Sequence, residues 1–188
     1  MQQIHTILGT ILQSILIGFG IVIPIFSLLK TSNLKTVEAK NIFILTAVQA
    51  VRIAGLFYFI IWALDTYTIY SESIGLKDGM NIFKFRLFGQ FWMLYWLPPV
   101  FSLLLTQALW IKKIYMKKVA LITFALLILI LPSYPFILLL SYLKGTDISG
   151  FNQNTVLQQV LYYVLSVVIF FFVTVTIMLM GGKLKEKK

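Results

Sequence analysis

The chain contains no cysteine, a single histidine (His5) and only 6 acidic residues in 188. Without cysteine there are no disulfides, no thiolate metal sites and no thiol nucleophile. One histidine and few carboxylates leave little material for metal binding or general acid–base work. A haem held by two histidines cannot be built from this chain alone. Charge of either sign is scarce: 12% of residues are charged, against about 25% in an ordinary soluble domain. Apolar residues are abundant, at 60% of the sequence, with a mean hydropathy of +0.93. This composition excludes a water-soluble globule and a disordered chain. It also excludes a nucleic-acid-binding domain, although the net charge is +10. No nucleic-acid partner is expected; on a chain this apolar, excess lysine bears on membrane orientation.

A membrane-spanning helix takes about 20 mostly apolar residues. Five segments reach that length: 7–29, 42–64 (running on towards Tyr70), 91–111, 119–142 and 156–180. The sequence therefore predicts an all-α polytopic bundle of five transmembrane helices forming one membrane domain over residues 1–188. The first run is too long for a signal-peptide core, has no preceding lysine and no A-x-A-like site after it, so it reads as a mature helix. An odd number of spans gives no inverted repeat.

Lysine placement sets the orientation. Lys30, Lys35 and Lys40 lie between the first two spans, and Lys112, Lys113, Lys117 and Lys118 between the third and fourth. Lys183, Lys185, Lys187 and Lys188 form the tail. These eleven fall on one side, and Lys77, Lys84, Arg86 and Lys144 on the other. The positive-inside rule then predicts the N-terminus outside and the C-terminus cytoplasmic. The external loop, 65–90, carries Asp65, Glu72 and Asp78. Its end, 82–88, alternates apolar and basic residues. It reads as a strand or, the favoured expectation, as a pre-helix on the lipid surface whose basic heads reach phosphates.

Arg52 is the remaining cation. It lies about ten residues into the second span, where an arginine costs at least about 2.5–3.5 kcal/mol on insertion scales. No span interior holds an Asp or Glu, and Asp65 lies too far along the same helix to pair with it. Its partner is expected to be a side chain such as Gln13 or Gln107, a carbonyl, a bound anion or quinone oxygen, or another subunit. Gln49, three residues before, shares its helical face. Gln13, Gln49 and Gln107, with Ser14 and Thr106, suggest a polar seam between helices; a pore lining is the other reading. Ser14 and Gly18 have the small-x-x-x-small spacing that lets helices approach closely.

Pro98-Pro99 is expected to interrupt the third span, and Pro132 with Pro135 the fourth. The kinks either shape helix packing or frame a cofactor or ion site. Phe57, Tyr58, Phe59, Trp62, Tyr67 and Tyr70, with Phe91, Trp92, Tyr95 and Trp96, form an aromatic belt or a flat slot for a quinone ring. His5 reads as solvated or hydrogen-bonded, with a ligand role as the minor alternative. No catalytic motif, catalytic residue or metal set is visible.

One stretch resembles a known family. Phe88-Gly89-Gln90-Phe91-Trp92-Met93-Leu94-Tyr95-Trp96, then Thr106-Gln107-Ala108-Leu109-Trp110-Ile111-Lys112-Lys113, is similar to a helix of polysulfide-reductase-type membrane subunits. These are quinone-associated subunits of bacterial respiratory complexes, including alternative complex III. The family pattern has a YW-rich entrance and a P-Q-x-x-W-x-K-K end. Gln107, Trp110, Lys112 and Lys113 match that end, and Thr106 stands in place of the proline. Family members carry more helices, and intramembrane His and acidic residues that this chain lacks. The resemblance thus implies association with a respiratory complex in the bacterial inner membrane rather than an intact quinol site.

The leading expectation is a non-catalytic integral subunit of a larger inner-membrane complex, plausibly respiratory. It would pack, stabilise or organise lipid and quinone, with other membrane subunits and phospholipids as partners. Arg52 and Gln49, with Gln107 and Trp110, are the candidate inter-subunit or ligand contact. No cofactor is expected on this chain alone; contact with quinone or lipid stays open. The alternative is a small transporter or channel component lined by Gln13, Gln49, Arg52 and Gln107. A lipid- or quinone-directed enzyme using Asp65, Tyr67 and Tyr70 is the third.

Overall fold

The computed structural model describes residues 2–30, 32–89, 92–143 and 156–181. Eight helices are present among them: α1 (Gln2–Leu28), α2 (Leu34–Ile74), α3 (Gly79–Phe88), α4 (Trp92–Ala108), α5 (Lys112–Met116), α6 (Lys118–Ile130), α7 (Tyr134–Leu143) and α8 (Val156–Met180). There is no strand among the described residues. The physical reason is the apolar sequence: in lipid, backbone N–H and C=O groups must be satisfied within the chain, and a helix does so locally.

Three helices, α1, α2 and α8, are long and apolar enough to cross a membrane. A fourth crossing is formed if α3 and α4, bent by 59°, are taken as one broken span. The expected span 119–142 is two shorter helices, α6 and α7, parted at 131–133. Pro132 sits in that break, and Pro135 lies in the first turn of α7, where a missing N–H costs nothing.

Two sequence expectations differ from the structure. The described part of the expected loop, 65–89, is helical on either side of a short turn at 75–78. α2 continues unbroken for 41 residues, about 60 Å at 1.5 Å per residue, roughly twice a bilayer's apolar thickness. No glycine or proline occurs between Gly55 and Gly75, and the helix ends at Gly75. The hydroxyls of Thr66, Thr68, Ser71 and Ser73 donate to carbonyls three or four residues earlier, so their polar groups are satisfied within the helix. Nor do Pro98 and Pro99 interrupt their helix: α4 runs through both, and the break falls after Ala108.

α1 occupies the centre, packed against α8, α2 and α6. Glycines permit these crossings. A Cβ at Gly18 would collide with Phe170 and lie 2.7 Å from the Ser166 carbonyl oxygen of α8. At Gly20 it would lie 2.7 Å from Leu129 Cβ and 3.0 Å from the Ala125 carbonyl oxygen of α6. Around these points Phe19, Ile23, Val48, Val51, Ala125 and Phe170 are buried.

Contacts also give helix directions. Phe26 stacks on Phe43 at 4.8 Å, and Gly9 faces Ile61, so α1 and α2 are antiparallel. Gly55 meets Thr106 while Trp62 meets Tyr95 and Trp96, so α2 and α4 are antiparallel. Gly18 abuts Ser166 and Phe170, and Phe26 lies 5.5 Å from Phe171; α1 and α8 are therefore parallel. At the α1–α2 turn the Asn33 side chain accepts from the Lys35 N–H at 3.0 Å, capping α2. Lys40 Nζ donates to the Leu29 carbonyl at 2.7 Å, placing a cation at the end of α1.

Candidate functional site

Arg52 is the chemical centre of the described chain. It lies on the buried face of α2, with only 8% of its surface exposed. α4 ends at Ala108, opposite this point. The N–H groups of Leu109, Trp110 and Ile111 fold back to carbonyls three residues earlier, tightening the helix end. The Leu109 carbonyl stays outside this ladder and accepts a hydrogen bond from Arg52 Nη2. A cation at a helix C-terminus also complements the negative end of the helix dipole.

Aromatic rings complete the site. The guanidinium lies 4.7 Å from the Trp110 ring centroid and 4.7 Å from that of Tyr115 on α5. Each such cation–π contact contributes on the order of 0.5–2 kcal/mol, more where water is excluded. Gln107 returns the link: its Nε2 donates to the Arg52 backbone carbonyl at 3.2 Å, and its Oε1 accepts from Trp110 Nε1 at 2.9 Å. The side chain of Arg52 thus grips the backbone of the α4 end, while the side chain of Gln107 grips the backbone of α2. Arg52 Nε is buried without a hydrogen-bond partner. The arrangement can hold helices in register.

Gln107 and Trp110 therefore do join Arg52, and the partner of the guanidinium is a carbonyl from this same chain. Gln107 reaches the backbone of Arg52 rather than its charge. Gln49 is exposed on α2, and Gln13 lies half-buried on α1. Ser14 and Gly18 are both buried on α1, with Gly18 at the α8 crossing. Sequence reasoning missed Tyr115 and the Leu109 carbonyl. The available signal was a pair of aromatics flanking Lys112-Lys113 directly after a span, where a helix end leaves carbonyls open.

The aromatic groups on α2 and α4 interlock. Trp62 lies 5.5 Å from Tyr95 and 5.0 Å from Trp96, with interplanar angles of 55° and 61°. Rings this close and this inclined pack tilted or edge to face against one another between the two helices. Asp65 and Tyr67 are two positions apart on a continuous helix and so point to nearly opposite sides. Among the described residues no three His, Cys, Asp or Glu side chains cluster as for a metal. The His5 side chain, Gln90, Phe91, Lys144 and the tail lysines lie outside the described residues.

The Gln107 link is testable. Gln107→Leu removes one interhelical hydrogen bond, and such bonds average about 0.6 kcal/mol in membranes. The expected loss is about 0.5–1 kcal/mol in mixed-micelle unfolding of the purified protein.

Comparison with family models, curated proteins and solved structures gives no match to the chain. Fold and site together define a class: an all-helical protein with several helices long and apolar enough to be embedded in a membrane.

Proposed function

We propose that the chain is a non-catalytic, five-span subunit of a larger bacterial inner-membrane complex, with the N-terminus outside and the C-terminus cytoplasmic. The observation that carries this reading is that the interior polar groups around Arg52 join helices of the chain to one another. In this reading they build a scaffold. α8 supports a role in assembly. It packs on α1 at Ser166 and Phe170 and on α2 at Phe170 and Phe171, yet only 22% of its most apolar stretch is buried. Its exposed side, with Leu161, Val164, Leu165, Val168 and Phe172, is offered to lipid or to another membrane chain. The antiparallel order of α1, α2 and α4, with α8 parallel to α1, supports an odd number of crossings. In this reading the broken pair α6–α7 supplies the fourth, and the lysine bias supplies the direction.

The resemblance over 88–113 supports a respiratory complex as the proposed host, with a packing role or the organisation of lipid and quinone. A transporter lined by Gln13, Gln49, Arg52 and Gln107 is less well supported, because Gln49 is exposed while Arg52 and Gln107 are bonded to backbone carbonyls of this chain. Purification of a tagged full chain in mild detergent is expected to recover a stoichiometric membrane partner. Recovery as a lone monomer overturns the reading.

A further inference from the structure

α3 has two unlike sides. One side holds it to the protein. Phe83 lies 5.4 Å from the Tyr70 ring of α2, and the Leu87 carbonyl accepts from Trp96 Nε1 of α4 at 3.1 Å. The Arg86 guanidinium rests 5.4 Å from the Tyr95 ring centroid. The other side carries Ile82, Phe85 and Phe88, which are 66%, 55% and 76% exposed. At 3.6 residues per turn these three share one sector, and Lys84 and Arg86 border it on either edge. Lys77 lies in the turn just before the helix, while Asp78 precedes its first residue, where a negative charge suits the helix start.

An apolar strip with a cation along each edge, on a helix bent 59° from its neighbour, is the geometry of a helix lying in a membrane interface. The strip enters the acyl boundary, and Lys84 lays its stem along it and raises its charged head to the headgroups; Arg86, exposed at the other edge, meets them from its place against the Tyr95 ring. The charge of this face is complementary to anionic phospholipid. We propose that the face of α3 formed by Ile82, Phe88, Lys84 and Arg86 binds anionic phospholipid headgroups, in preference to zwitterionic ones, on the membrane surface next to the α1 N-terminus.

The absence of cysteine makes a direct test available. A full-length Phe88→Cys chain carries an environment-sensitive fluorophore and is reconstituted into vesicles of phosphatidylcholine mixed with phosphatidylglycerol. A spin label near the headgroup is placed on one lipid or the other. Quenching is expected from both, and the phosphatidylglycerol quencher is expected to act about threefold more strongly, since each basic residue near an anionic surface contributes up to about fivefold. In Lys84→Glu the probe stays lipid-quenched while this preference falls to about one. Equal quenching by the two lipids in the Lys84 chain overturns the proposal. So does a probe quenched by aqueous iodide, and so does one shielded from both quenchers, which would mean that protein covers the face. Membrane embedding itself is read separately: a chain that stays with vesicles after a carbonate wash can fail the lipid test without failing as a membrane protein.

Discussion

Arg52→Leu is expected to move two measurements in opposite directions. Insertion of the second span becomes easier, because a central arginine costs at least about 2.5–3.5 kcal/mol and leucine is favourable there. The folded protein becomes weaker. It loses a charged hydrogen bond to a buried carbonyl, worth about 1.5–3 kcal/mol, and two cation–π contacts of about 0.5–2 kcal/mol each. A net loss of about 2–4 kcal/mol in mixed-micelle unfolding is expected once the added apolar burial of leucine is allowed for. Arg52→Lys restores less than half, because a compact ammonium cannot lie flat between two rings or present a planar fork. The loss should also be local. A single cysteine at Ile114 reacts faster with an aqueous maleimide when Arg52 is absent, because α5 is no longer tied through Tyr115. Unchanged unfolding together with unchanged Ile114 reactivity rules out the clamp.

That arginine shows how far the sequence could be read. Its anomaly was legible at once: a charge among apolar residues must find a partner, and the sequence offered Gln107 and a carbonyl among the candidates. Which carbonyl could not be read, because helix ends are set by packing. α4 runs through Pro98 and Pro99 and stops instead after Ala108, where Arg52 meets it. The apolar runs located the long helices, since a stretch of apolar residues has one low-energy backbone in lipid. They did not locate the far end of α2, because the polarity of 65–74 resembles a loop while its residues lack any helix breaker. Aromatic residues on α2 and α4 were visible as a group, but belt and slot differ only in ring angles, which no sequence carries. Gly18 was legible as a small residue at a useful spacing. The need for glycine at Gly55 was not, because its partner Thr106 is 51 positions away.

Gly55→Val is expected to separate α2 from α4. A Cβ at position 55 would collide with the Thr106 side chain, lying 2.6 Å from Thr106 Cβ and 2.7 Å from its Cγ2. Thr106 cannot swing away cheaply: it is fully buried, and its hydroxyl already donates to the Ser102 carbonyl at 2.7 Å. The helices must therefore move apart. Overpacking of this kind costs about 1–3 kcal/mol, occasionally more. Position 55 is one helical turn from Arg52, so the same displacement lengthens the bond to the Leu109 carbonyl and the contact with Trp110. The combined loss is expected to reach about 3–5 kcal/mol in mixed-micelle unfolding, larger than that of Arg52→Leu, because close contact and clamp fail together. A second substitution separates this cause from a general effect of valine on the helix. Thr106→Gly removes every atom in the collision and is expected to restore more than half of the loss, even though glycine alone weakens a helix by about 1 kcal/mol. Thr106→Ala keeps the Cβ at 2.6 Å and is expected to restore little. Equal rescue by glycine and alanine, or none by either, would show that the α2–α4 contact is not what Gly55 protects.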